Sequence, residues 1–294
     1  MGANVIKSRQ LLIVVICVAL AAAGATPATA GGHGHGSDDR PTVLPPDSRI
    51  LGRTYGEWNA KWWKWLFETP FHESPVFSGG PGAPNAYQPV DCSAGQRGRV
   101  WFLGGTFLPT GSTDDSANSD VYRSCDVAAG TYLYLPMINS EADNLLCPKN
   151  TTYSAKELIA LATGSIDRVP PDSLTAEIDG VPVTGLAKYR SPSRWFSYRL
   201  PGDNLGQLPD VCGKSFRRGT MPPPVDHHGG AIADGYYLMV APLSPGEHSL
   251  KFGGKAYFPQ EDGSVFVFTQ NVNYEITVKC RGHHQRWSSN CGHR

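Results

Sequence analysis

The chain has no C-x-x-C pair, so its cysteine spacing encodes neither a zinc clasp nor a dithiol redox centre. It has no G-x-S-x-G elbow, which removes the usual sequence sign of an α/β-hydrolase serine. An excess of one charge is missing too, with 26 Lys and Arg against 26 Asp and Glu. A nucleic-acid binder would need a basic footprint, and none is present. Beyond the N-terminus, no run is apolar and long enough to cross a hydrocarbon layer of roughly 30 Å.

The N-terminus itself reads as a secretory signal over residues 1–30. Lys7 and Arg9 precede the apolar run "LLIVVICVALAAA", and Ala28-Thr29-Ala30 supplies small residues for cleavage. The expected mature chain starts near Gly31. Removing Lys7 and Arg9 leaves 24 basic against 26 acidic side chains, a net of −2. Residues 31–47, "GGHGHGSDDRPTVLPPD", offer little to bury and read as a disordered leader. Residues 281–294 read as a polar tail, which leaves 48–280 as one domain.

Export also sets the redox setting. Cys92, Cys125, Cys147, Cys212, Cys280 and Cys291 survive cleavage, an even number that predicts three disulfides. Spacing does not fix their connectivity. The pairing we expect is Cys92–Cys125, Cys147–Cys212 and Cys280–Cys291.

Four of the seven tryptophans lie between Trp58 and Trp65. Thr54 and Glu57 have capping-box spacing, and Pro70 closes the segment, so residues 54–68 predict a helix. Tyr55, Trp58, Trp62, Trp65 and Leu66 recur on one face, which predicts burial. Trp63 lies about 100° around from Trp62 and is the ring expected to face a groove or a partner. Glu57–Lys61 and Lys64–Glu68 are i,i+4 pairs on the polar side. An interfacial membrane helix would normally carry more basic residues. A second, inserted helix is expected over Ser154–Ala162, with Ser154 and Glu157 as its capping box and Gly164 just past its end.

The rest of the chain reads as strands. Residues 100–103 and 130–138 are apolar runs, with Pro136 arguing for an edge or strand end. Asp179-Gly180 marks a hairpin. Trp195–Leu200, Tyr236–Ala241, Ser249–Phe252 and Val265–Phe268 are strand-like. Val272, Tyr274, Ile276 and Val278 alternate with polar residues, the period of a half-buried strand. Together with abundant Gly and Pro turns, this predicts a mainly β fold: an antiparallel β-sandwich, jelly-roll or Ig-like, carrying the aromatic helix and the short inserted one.

The blocks "YGEWNAKWWKW", "GQRGRVWFLGGT", "CDVAAGTYLYLPMINSE", "EIDGVPV" and "IADGYYLMVAPLSPGEHSLKFGG" resemble a family of uncharacterised secreted bacterial proteins. The likeness runs from about Tyr55 to Val278. It implies export and a single β-rich unit, and it supplies no activity.

Three chemistries compete for the function. Aromatic rings on a sandwich face or its loops would serve a binding module for extracellular carbohydrate or cell-envelope material. Trp63, Asn139, Glu141, Asp234 and Tyr236 are the candidate ligand-binding residues, with Tyr132, Tyr134, Trp195, Tyr198 and Tyr237 as further rings. A glycosidase-like hydrolase would need two carboxyl groups flanking a sugar, and Glu141 with Asp234 is the pair to test. Metal capture would draw on His33, His35, His227, His228, His283, His284 and His293, since imidazole ligates zinc, copper and nickel. His72 and His248 have no evident triad partner in sequence. The residues favour a secreted, non-catalytic protein with a ligand-binding or surface-structural role, no cofactor, no nucleic acid and no membrane span after cleavage. Ligand identity and oligomeric state are not written in the sequence.

Overall fold

The computed structural model describes residues 41–76, 91–105, 121–144, 153–204, 230–281 and 287–288. The signal segment, residues 31–40 of the leader, most of the tail, Cys147, Cys212, Cys291 and the seven clustered histidines lie outside the described residues. The rest of the expected disordered leader is not loose: the Leu44 N–H donates to the Met239 carbonyl, the Ala241 N–H donates to the Thr42 carbonyl, and Val43 bridges to Val240.

Both helices begin where the sequence places a cap. In α1 (Tyr55–Glu68) the Thr54 hydroxyl accepts from the Glu57 N–H, and the Glu57 carboxylate accepts from the Thr54 N–H at 2.8 Å. α1 stops at Thr69, whose extended backbone is the conformation that the following Pro70 favours. Of the two charge pairs, Lys64–Glu68 forms at 3.7 Å, and the Glu57 carboxylate serves the cap. α2 (Ala155–Ile166) has the same reciprocal box between Ser154 and Glu157. It runs four residues past the expected end and takes Gly164 into its last turn.

Those caps make a testable contribution. The Thr54 backbone and hydroxyl bonds hold the Glu57 carboxyl below its ordinary range. A carboxyl lowered by folding adds stability that is present above its unfolded value and is lost as pH falls through the folded one. Thr54→Ala should cost about 1 kcal/mol in urea unfolding at neutral pH. The gap in urea midpoint between the parent and Glu57→Gln should narrow on acidification. A gap that widens toward acid pH would contradict the capping account.

The strands form two sheets. The smaller has the order β1 (Val100–Phe102), β3 (Tyr132–Ala142), β6 (Ile232–Val240). The larger runs β2 (Val121–Ala128), β8 (Val265–Arg281), β7 (Gly246–Pro259), β4 (Thr175–Ile178), β5 (Val181–Pro182), with β9 (Trp287–Ser288) on the end of β8. The mainly β expectation holds at this level, but a purely antiparallel arrangement does not. β1 pairs parallel with β3, and β2 pairs parallel with β8. Alternation shows which residues face inward and not which way the neighbour runs, so those pairings were hidden.

Local signals otherwise translate directly. Asp179 and Gly180 both have positive φ, 51° and 76°, which a two-residue type I′ turn between β4 and β5 requires. Val272, Tyr274, Ile276 and Val278 are buried, as their period predicts. Residues 195–200 do not form a strand; Phe196 makes a single bridge to Ala231.

Pro136 sits on β3, between β1 and β6, at a β-bulge where the register slips between Pro136 and Ile138. β1 pairs with β3 only as far as Tyr134. Past that point the Gln270 side chain, reaching from β8, donates to the carbonyls of Met137 at 2.8 Å and Pro136 at 3.4 Å. This amide joins the two sheets where the ladder is interrupted.

α1 is wedged in the core. Trp58, Trp62 and Trp65 are buried as expected, and so are Asn59, Trp63 and Phe67 on its other side. Each of the four indole N–H groups has an acceptor: the carbonyls of Ile50, Leu103 and Ala94 for Trp58, Trp62 and Trp65, and the Tyr237 hydroxyl for Trp63. The helix therefore presents no broad apolar face to a membrane. A disulfide joins Cys92 to Cys125, the pair expected. Cys280 is also disulfide-bonded, and its pairing lies outside the described residues. No described helix is long and apolar enough to cross a membrane.

Candidate functional site

The five candidate residues do not form one exposed site. Trp63 is 0 % exposed, which corrects the expectation of a groove-facing ring. Its ring stacks on Phe67 at 5.4 Å, and Phe67 stacks on Tyr198 at 4.5 Å. The segment carrying Tyr198 covers the flank of α1 that the helical wheel leaves open. Tyr236 is buried at 5 %. Tyr134, Tyr198 and Tyr237 are also buried, whereas Trp195 is exposed.

The bulge after Pro136 decides where the polar candidates point. Cα partners are Asn139 with Gly235, Ser140 with Asp234, and Glu141 with Ala233. Side chains alternate along a strand, so Asn139 and Glu141 share the α1 face and Asp234 takes the α2 face. Gly235 makes room for this crossing, because a Cβ there would lie 2.7 Å from the Asn139 Cβ. Glu141 and Asp234 are thus neighbours on opposite faces of one sheet, and they do not flank a common substrate. The expected carboxylate pair is absent, for a reason of strand parity.

Asp234 is a structural clamp. Its Oδ2 accepts from Arg190 Nε at 2.9 Å and Nη2 at 2.6 Å, and its Oδ1 accepts from the Gly235 N–H. Arg190 also pairs with Asp167 at 2.7 Å and donates to the Thr163 carbonyl, both at the C-terminal end of α2. Burial raises the Asp234 carboxyl above its usual value, and the Arg190 bonds pull against that rise. At Arg190 burial works against the charge, and the bonds to Asp234 and Asp167 more than offset it.

Glu141 and Asn139 lie beneath α1. Glu141 is 4 % exposed, and burial first, then the Asp143 carboxyl beside it, pushes its carboxyl well above the ordinary range. Neither Glu141 oxygen has a hydrogen-bond partner, nor does the Asn139 side-chain nitrogen. Tyr198 donates to Asp143 at 2.6 Å.

Both isolated histidines have carboxylate partners that the sequence did not reveal. His72 Nδ1 lies 2.8 Å from Asp203, and His248 Nδ1 lies 2.8 Å from Asp179. Ser244 Oγ stands 3.4 Å from His248 Nε2, so the trio has a triad-like order. Yet Nε2 is closer to the Ser244 carbonyl oxygen, at 2.8 Å. That contact requires a proton on Nε2, whereas a general base must keep it bare. Asp179 also accepts from the Ser249 N–H, and the set braces the β4–β5 hairpin against β7.

Among the described residues, an open site lies on the outer face of the larger sheet. Tyr122, Asn273, Lys251 and Glu177 stand in register across β2, β8, β7 and β4. Three strand spacings make this row roughly 14 Å long. Two adjoining grooves, of about 510 and 390 Å³, share Tyr122, Lys251 and Asn273. The second extends toward Ser124 and Glu275. Tyr122 is 69 % exposed, the most exposed large hydrophobic side chain among the described residues. Lys251 and Glu177 form an ion pair at 2.9 Å. An exposed ring, an amide and a paired charge can stack on and hydrogen-bond a polar, uncharged ligand.

Sequence reasoning missed Tyr122. The alternation "VYRSCDV" was available, but Arg123 at an inward position disguised it. Arg123 is buried and donates to the Gly104 carbonyl and to the Tyr274 hydroxyl. No protein-family model, curated protein or solved structure matches the chain.

Proposed function

We propose that the protein is an exported, disulfide-stabilised, non-catalytic module that binds carbohydrate or cell-envelope polymer on the outer face of its larger sheet. The observation that carries the reading is the exposed Tyr122 ring in register with Asn273, Lys251 and Glu177. Aromatic faces stack on the apolar face of a sugar ring, while amides and charged groups meet its hydroxyls. Such a site needs no catalytic pair. Export is supported by the N-terminal segment, the cysteine count and the resemblance to secreted bacterial proteins. The two sheets are taken as the layers of a sandwich, jelly-roll or Ig-like in its use of one face for binding. The two parallel pairings distinguish its strand order from a purely antiparallel one.

The test is retention of the purified protein on insoluble cell-wall and plant polymers, alongside a glycan array. Retention that soluble oligosaccharide competes away is expected. No retention on any polymer and no array signal would overturn the reading.

A further inference from the structure

Resting on the sheet-face binding proposed above, we infer that the ligand is a polysaccharide carrying free amines, and that Glu275 meets its ammonium group. Glu275 stands on the outer face of β8, with Ser124 of β2 on one side and Ser249 of β7 on the other, both in register with it. All three line the groove of about 390 Å³. Tyr122 lies one strand across and two residues back, roughly 8 Å from Glu275 in the plane of the sheet. A sugar ring stacked on Tyr122 therefore brings its own substituents, or those of the next ring, to the carboxylate.

Charge decides the class of sugar. The neighbouring cations on this face are occupied: Lys251 by Glu177 at 2.9 Å, and Lys279 by Asp126. Among the described residues, the Glu275 carboxylate has no ion-pair or hydrogen-bond partner. Glu247, also exposed on this face, is its diagonal neighbour on β7. This end of the groove therefore carries excess negative charge beside an aromatic platform. Uronic acids and phosphate-bearing polymers would be repelled, and a neutral sugar would leave the carboxylate to water. An amino sugar supplies the missing counter-charge. The two serine hydroxyls flanking the carboxylate can donate to or accept from the hydroxyls of the same ring.

The experiment titrates the full chain calorimetrically with β-1,4-linked tetramers of glucosamine, N-acetylglucosamine and glucose, in mildly acidic buffer where the sugar amine is protonated. At low ionic strength the glucosamine tetramer should bind about three- to fivefold more tightly than the glucose tetramer, the contribution of one exposed ion pair. Salt at about 1 M should erase that difference, and the uncharged N-acetyl tetramer should show no such salt dependence. Glu275→Gln should bring the glucosamine-to-glucose ratio to about one. Equal affinities in the parent, or a preference that survives in Glu275→Gln, would overturn the inference and leave sheet-face binding standing. Retention on a neutral or acidic polymer with no glucosamine binding would do the same. No retention on any polymer would remove the sheet-face reading together with this one. Binding of polylysine without binding of the glucosamine tetramer would put a basic peptide in the groove and also overturn the inference.

Discussion

Trp63→Ala should lower stability by about 3–5 kcal/mol, a fall in Tm of roughly 6–20 °C. The ring is fully buried, lies edge-on to Trp62 at 5.0 Å, stacks on Phe67 and donates to Tyr237. Truncation would leave a cavity between α1 and β6. It would also take a donor from the Tyr237 hydroxyl, which itself donates to Asn59 at 2.7 Å. Trp195→Ala is the control, because Trp195 is 40 % exposed and surface substitutions usually stay within about 0.5 kcal/mol. Differential scanning calorimetry of both variants decides the matter. Equal, small shifts would mean that Trp63 is not core.

The second large effect belongs to Arg190. Its guanidinium is the counter-charge of Asp234, whose side chain is 2 % exposed. Removing one partner of such a pair leaves a buried, unpaired charge, and Arg190→Met should cost about 3–5 kcal/mol. Part of that loss is the freed C-terminal end of α2, where Arg190 holds Asp167 and Thr163. Asp234→Asn should cost less, since it removes the charge that needs compensation. Combining it with Arg190→Met should recover stability relative to Arg190→Met alone, a coupling that a double-mutant cycle in urea measures. Additive losses would contradict the clamp.

These residues show what could be read in the sequence. Local rules sufficed wherever the cause is local. Thr54 with Glu57, Ser154 with Glu157, and Asp179 with Gly180 each act within three residues, and each element starts or turns where they stand. The alternation from Val272 to Val278 gave its buried face for the same reason. The misses come from contacts far along the chain. Trp63 looked free because Tyr198 and Tyr237, which cover it, are more than a hundred residues away. Glu141 and Asp234 looked like a pair because Glu141 ends an apolar run and Asp234 stands beside Tyr236 and Tyr237. One bulged residue, Met137, puts them on opposite faces. Tyr122 was overlooked because a buried arginine interrupts an otherwise regular strand. His248 gained Asp179 only through the pairing of β4 with β7.

The sheet-face binding site is the central claim, and Tyr122→Ala tests it most directly. Tyr122 projects from the outer face, so its removal should leave Tm within about a degree or two, as for other surface substitutions. Isothermal titration with the best-retained oligosaccharide should then show affinity weakened about tenfold or more, equivalent to about 1.4 kcal/mol. Unchanged affinity in a normally folded Tyr122→Ala protein would contradict the account.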